Sequence, residues 1–437
     1  MRISLPFFLL LVSCSYSFAQ TDSTGHFIAG KITVTGNKET KAWVIEREMI
    51  FNEGDSVSVD DLKQSIGRVE SIQLFNRVEY KLNPTPNPAV KNIEINISES
   101  LYHVPFIYFI PIPIFKTNGG HLNQYSYGLG GVDRNFRGNA ELIYVGGWIG
   151  YSPGFEIYYE NPWIGSKDNR LFLAFSALKN DFINRNKNYG NFTEKQAGLG
   201  ILVKKYLSPF HYLGIGIEAK SIQIPTVPGY FSGYEDSYFA PYLEASFDSR
   251  DFSLYSHKGL FMKYKLQKNG VSDSDVDNVN LVLENKYFFK IAERTAIGVQ
   301  SYHNITFGNQ PLYQRKYIGF EQRVRGYFYS NRESKNQMLN SLEFRFPITD
   351  IYYFDAGRSE SVFGDAGKNI KYGLSGTVFV DQANLWEKPR DINLKNSISG
   401  YGIGINLLVP YFEAIRFESA WDDQGKYEGI FAAGISF

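Results

Sequence analysis

Beyond Val12 the chain has no apolar run approaching the roughly 20 residues that a membrane-crossing helix needs. It nevertheless carries 35 Phe, 31 Tyr and 5 Trp, or 16% aromatic residues in 437, a density that soluble domains seldom reach. A chain of this kind that enters lipid has one architecture open to it. Only a closed sheet can satisfy every backbone donor and acceptor without helices. Aromatic girdles at the two lipid interfaces explain the Phe and Tyr, and the 40 Gly suit crowded, coiled strands.

The local pattern agrees from about residue 120 onward. Leu260, Met262, Tyr264 and Leu266 alternate with Phe261, Lys263, Lys265 and Gln267. Leu342, Phe344 and Phe346 alternate with Ser341, Glu343 and Arg345, and Ile403, Ile405, Leu407 and Val409 with Gly402, Gly404, Asn406 and Leu408. Ile415 and Phe417 flank Arg416 in the same way. Apolar-out, polar-in alternation is the dyad pattern of a transmembrane barrel. About 320 residues at about 20 per strand and turn predict ~16 antiparallel strands over 119–437, with both ends in the periplasm.

Residues 1–19 read as an export signal: Arg2, the apolar stretch Ile3–Val12, and a small-x-small site at Ser17-Phe18-Ala19. Leu11-Val12-Ser13-Cys14 also fits a lipobox, so lipid attachment at Cys14 and cleavage after Ala19 both stay open. Cys14 is the only cysteine, and cleavage after Ala19 would leave no thiol for disulfides or metal. Lys+Arg and Asp+Glu balance at 45 each, without the cationic surplus of a nucleic-acid binder. No Gly-x-Ser-x-Gly elbow, Walker loop or His-Glu-x-x-His occurs, and the six His are scattered. Carboxylate pairs such as Asp248/Asp251 read as lumen charges. The expectation is a protein that is not an enzyme and has no catalytic residues, cofactor or metal.

Residues 27–100 read as a small α/β domain. Ile32 and Val34 alternate with polar residues and end at the Gly36-Asn37 turn. Ala42, Ile45 and Met49 share a helical face, and Ser58 with Asp61 resembles a capping box ahead of Leu62, Ile66, Val69 and Ile72. Two alternating strands follow, through Val78, Tyr80 and Leu82 and through Ile93, Ile95 and Ile97. With Gly54-Asp55 and Leu74-Phe75, this β-α-α-β-β order resembles a POTRA module, the periplasmic unit of outer-membrane assembly and secretion proteins. Residues 101–118, with Pro105, Pro111 and Pro113 among Phe and Ile, read as a rigid linker. Asp350–Lys371 is too long for a tight turn and has no reading from sequence.

The sharpest motif is Val324-Arg325-Gly326-Tyr327, preceded by Gly319-Phe320. It resembles the signature of the BamA/TamA superfamily, in which a long extracellular loop folds back into the barrel. The resemblance implies that Arg325 pairs with Asp381 of Phe379-Val380-Asp381-Gln382-Ala383, where Ala383 departs from the family's usual Gly. An unpaired buried Arg would be very costly. Asp248-Ser249-Arg250-Asp251 with Gly259, Asn340–Pro347, Asn135 with Gly138, and Glu156–Pro162 match further family segments in order. The alternating end of the chain, through Phe431, Ile435 and Phe437, resembles the C-terminal signal by which barrels are recognised for insertion.

The resemblance implies a factor in the outer membrane of a Gram-negative cell that assembles, inserts or translocates polypeptides. Its partners would be unfolded outer-membrane or exported polypeptides, outer-membrane lipids and periplasmic accessory proteins, with no nucleic acid. The POTRA edge would bind clients by β-augmentation, and a weak seam between first and last barrel strands would open laterally. Alternatives are a dedicated secretion channel for one partner and a passive pore.

Overall fold

The computed structural model describes residues 25–433 apart from 116–120, 167–168, 187–189, 252–254, 272–274, 320–322, 329, 331, 357–363, 393–396 and 410–412. The expected signal peptide (1–19), and Ile435 and Phe437 of the C-terminal signal, lie outside the described residues.

The N-terminal domain is built from β1 (His26–Thr35), α1 (Ala42–Glu46), β2 (Ser56–Ser58), α2 (Val59–Ser71), β3 (Phe75–Pro84) and β4 (Val90–Glu99). Its sheet has the order β2-β1-β4-β3, with β1 and β4 parallel. Ser58 starts α2 by the reciprocal cap its spacing suggests. Its Oγ accepts from Asp61 N at 3.1 Å, and Asp61 Oδ2 accepts from Ser58 N at 3.0 Å. Leu62 and Val69 of α2 and Val44 and Ile45 of α1 are fully buried in one core with Ile93 and Ile95 of β4. Each such side chain contributes about 1.5–3 kcal/mol through burial.

A closed antiparallel barrel follows. Seventeen strands belong to its sheet, but Tyr352–Phe354 only rides on the start of Ile370–Trp386, which itself pairs with Asn336–Pro347. Sixteen strands therefore form the wall, as the length arithmetic predicts. Ile107, Leu129, Ile149, Ile215, Leu243 and Phe431 point outward and stay exposed, whereas Glu244, Glu343, Arg345 and Glu418 point inward and are buried. The outer surface is thus an apolar belt and the lumen is polar, as a lipid-embedded barrel requires.

The expected linker is corrected by the structure. His103–Phe115 is the first barrel strand, β5, paired without interruption to β6 (His121–Phe136) from His103↔Asp133 to Phe115↔His121. The prolines are tolerated because all three sit at odd positions. Arg134 N donates to Tyr102 O at 3.1 Å, so even-numbered residues exchange main-chain bonds with β6. Odd-numbered ones turn their main-chain groups the other way. Pro105, Pro111 and Pro113 remove donors from a single edge, the placement that strands allow.

Candidate functional site

The connection between Thr295–Gly308 and Asn336–Pro347 leaves the barrel wall at the mouth opposite the N-terminal domain and folds into the lumen. Its tip is Val324–Tyr327. Arg325 is 4% exposed and donates to Asp381 through two parallel bonds, Nε to Oδ2 and Nη2 to Oδ1, both 2.7 Å. Arg325 N adds a third bond to Oδ2 at 3.1 Å. Nη1 reaches Glu343 at 2.9 Å and Glu418 at 3.1 Å, and the guanidinium lies 3.5 Å from the Phe379 ring centroid. Arg345 holds Glu343 at 2.8 Å, and Arg416 holds Glu418 at 3.1 Å. Three guanidiniums thus meet three carboxylates drawn from three wall strands, and no charge is left over. A bidentate Arg–carboxylate pair inside a compensated network is the arrangement in which buried charges hold a fixed geometry.

Steric fit completes the seat. Gly326 has φ +101°, and a Cβ there would come within 3.0 Å of Asp422 N. A Cβ on Gly400 would lie 1.9 Å from Arg325 O. Val324 packs with Ile318, Leu339, Ala383 and Ile398. Ala383, 1% exposed, belongs to this cluster, so its methyl is accommodated in the seat. Tyr327 Oη donates to Asp423 at 2.5 Å, and Phe328 N donates to Glu428 at 3.1 Å. These bonds tie the loop to the final hairpin, whose last strand is Tyr427–Ala433.

The sequence pointed to Val324, Arg325, Gly326, Tyr327 and Asp381, and the structure brings all five to one place. Phe431 is elsewhere, on the outer face and 72% exposed. Sequence reasoning missed Glu343, Glu418 and Gly400 as members of the seat. Glu343 lay within the Asn340–Pro347 motif and could have been found there. Gly400 left no signal, because its role is an approach between segments distant in the chain. Of the other matched segments, Asn340–Pro347 and Glu156–Pro162 lie within wall strands, and Asn135 and Gly138 dock the N-terminal domain through Thr40 Oγ1 and Lys41 N. Asp248 accepts two bonds from the Arg250 guanidinium, at 2.8 and 2.7 Å, and one from its N–H at 3.2 Å, and Gly259 fits where a Cβ would meet Ser249 O at 2.3 Å.

The opposite mouth is covered by the N-terminal domain. Lys41 N donates to Gly138 O (3.0 Å), Arg68 Nη1 to Pro209 O (2.8 Å), and Asn76 Nδ2 to Ala366 O (2.8 Å) and Lys368 O (2.9 Å). Arg77 stacks 4.5 Å over Tyr353. Within the Asp350–Lys371 stretch, unreadable from sequence, the described residues Tyr353, Ala366 and Lys368 therefore dock β3.

Between the mouths runs the closure of the barrel, where β5 adjoins Tyr427–Ala433. The edge of β5 turned away from β6 is its odd one, and three of its seven odd positions, 105, 111 and 113, carry no N–H.

Residues 135–437 match the Omp85 superfamily domain. The chain belongs to the Omp85 superfamily. Residues 27–100 match the POTRA family described as surface antigen variable number repeat, so this Omp85 chain has one POTRA domain before its barrel. Among solved structures, BamA from Haemophilus ducreyi lacking POTRA domains 1–3 is similar at TM-score 0.55 and 15% identity, covering 93% of this chain and 84% of that one. CdiB from Escherichia coli is similar at 0.57 and 12%, covering 93% and 74%. CdiB from Acinetobacter baumannii is similar at 0.51 and 12%, covering 94% and 72%. These likenesses concern the fold. No curated protein sequence matches the chain.

Proposed function

We propose that the protein inserts or translocates other polypeptides at the outer membrane, with its POTRA domain in the periplasm. The observation that carries this reading is the closure of the barrel. An ordinary barrel removes its edges by complete pairing, whereas β5 offers the last strand an edge with three donors missing. Each bond so forgone is about 0.5–1.5 kcal/mol, which weakens the wall where the first and last strands meet. That seam can part and present strand edges to a client chain, while the rest of the wall stays intact. The Val324–Tyr327 loop grips the last hairpin from inside, so the moving side keeps its shape. Arg325 and Asp381 act as the lock of that loop.

The POTRA domain supplies a second edge. β3 borders its sheet, and among the described residues the 366–369 segment covers its first residues. Glu79, Lys81 and Asn83 further along are exposed. This free half is suited to β-augmentation by unfolded clients, in which main-chain bonds tolerate varied sequences.

The test is reconstitution of the full chain in liposomes with an urea-unfolded client barrel, scored by folded client on semi-native gels. Acceleration over empty liposomes is expected. Steady ion conductance without acceleration would overturn the reading in favour of a pore. Depletion followed by an outer-membrane proteome separates the two remaining options. Broad loss of barrels marks an assembly factor, and loss of one exported protein marks a dedicated secretion channel.

A further inference from the structure

At the POTRA-side mouth the lumen holds a cavity of ≈ 1190 Å³, floored by the POTRA domain and walled by the barrel. Arg47 and Arg68 of the POTRA domain and Arg170 of the barrel all border it. The three guanidiniums surround one carboxylate, Glu48. Arg68 takes it at 2.6 Å, leaving Arg47 at 3.8 Å and Arg170 at 4.0 Å. Arg47 and Arg170 both stack on Trp163, at 4.9 and 4.1 Å, and Arg170 also lies 3.8 Å from the Tyr206 ring.

Their remaining bonds are few. Arg170 Nε donates to Pro162 O at 3.1 Å, and Arg47 Nη2 makes a 3.5 Å contact with Asn139 O. Arg47 Nε and Nη1 meet no hydrogen-bond acceptor among the described residues, although the side chain is 5% exposed. The other carboxylates on the cavity wall are engaged elsewhere. Asp248 is held by Arg250 at 2.7 Å, Glu160 by Tyr158 Oη at 2.6 Å, and Glu156 by the hydroxyls of Tyr108 and Tyr144. Around Glu48 three guanidiniums thus face one carboxylate, a local excess of two positive charges that Glu141 offsets in part at Arg47, held away from bulk water, where incomplete compensation is costly.

We propose that this floor is an anion site for a phosphate group, presented either on a membrane-lipid headgroup or as the free ion. A phosphomonoester carries nearly two negative charges at neutral pH, which matches the excess. Guanidinium forks recognise its oxygens in pairs. The cavity is far larger than one ion, and Phe106, Phe172 and Tyr206 on its wall provide apolar cover for an attached acyl chain. Because Arg47 belongs to the POTRA domain and Arg170 to the barrel, a bound phosphate would bridge the two.

Isothermal titration of the full chain in a neutral-headed detergent tests this, using inorganic phosphate, dihexanoylphosphatidic acid and dihexanoylphosphatidylcholine. Saturable binding of phosphatidic acid is expected, weakened at least tenfold by Arg170→Gln and by Arg47→Gln, with Arg170→Lys, which keeps the charge but not the fork, falling between wild type and Arg170→Gln. Gel mobility before and after heating verifies that each variant is folded. If inorganic phosphate binds comparably, the site serves the free ion; if only phosphatidic acid binds, it serves a lipid headgroup. Either result supports the site. No saturable binding to the wild-type chain, equal binding of phosphatidylcholine, or affinity unchanged in both Gln variants would overturn it.

Discussion

The two mouths of this barrel are closed by opposite chemistry. At the far mouth, a loop of the barrel itself enters the lumen and ends in three guanidiniums matched to three carboxylates. At the near mouth, a separate domain rests on turns through single hydrogen bonds and ring stacking. There three guanidiniums share one carboxylate, and Arg47, Asn76 Oδ1, Ser100 Oγ and Asn139 Oδ1 include buried atoms without hydrogen-bond partners. A saturated network resists any change in geometry, because each broken bond strands a charge. An unsaturated one loses little on parting, because water satisfies what the protein left open. On this count the near closure is expected to part at lower cost than the Arg325 network at the far one.

The largest effect that would break this contrast is at Arg325. Arg325→Ala leaves Asp381, Glu343 and Glu418 buried with two cations among them. The loss should be about 3–5 kcal/mol, the scale for removing one partner of a buried ion pair. On semi-native gels the variant should unfold at a clearly lower temperature than wild type; equal heat resistance would sink the idea of a lock. Arg325→Lys should fall between, since an ammonium cannot make the fork to Asp381. Next in size is Gly400→Ala. Its methyl would press on Arg325 O, and relief costs about 1–3 kcal/mol of overpacking. The loop should then become accessible to protease in folded protein. Unchanged protection would show that the close approach is not needed.

How much of this was legible in the sequence depends on the range of each interaction. The ~16 strands, the Ser58 cap on α2 and the alternation around Glu343 are written in neighbours one to four residues apart. Arg325 and Asp381 stand 56 residues apart in the chain and were found only because both sit in motifs of known partnership. Gly400 and Glu418 carry no local mark, since what they touch arrives only when the barrel closes. The prolines of β5 misled for a physical reason. Proline density argues against a strand unless the missing donors share one edge, and which edge a residue faces depends on parity within a sheet not yet formed.

That parity gives a smaller prediction. Pro105→Val returns one N–H to the β5 edge facing the last strand, a gain of about 0.5–1.5 kcal/mol for one hydrogen bond. The variant should resist heat slightly more and insert client more slowly. Tighter pairing without slower insertion would separate the seam from the activity, whereas both closures would keep their assigned characters.

The smallest effect concerns the near closure and pH. Glu70, near the end of α2, borders a cleft of ≈ 250 Å³ between the POTRA domain and the barrel, shared with Arg77, His257, Arg294, Tyr353 and Lys371. Burial raises its pKa above the ordinary carboxylate value, and the nearby Lys371 offsets that only in part. The raised value belongs to the docked state, so docking favours the protonated acid. Its contribution is complete below the undocked pKa and is lost as pH rises through the docked one. A cysteine pair introduced at Asn76 and Ala366 should therefore crosslink more readily in mildly acidic buffer than at neutral pH, once thiol reactivity is normalised with a pair inside the POTRA core. Glu70→Gln should flatten that dependence. A crosslinking ratio that keeps its slope in the Gln variant would assign the pH response to another group. The contrast between a fixed far mouth and a releasable near mouth would then rest on the unpartnered polar atoms around Arg47 and Asn76 alone.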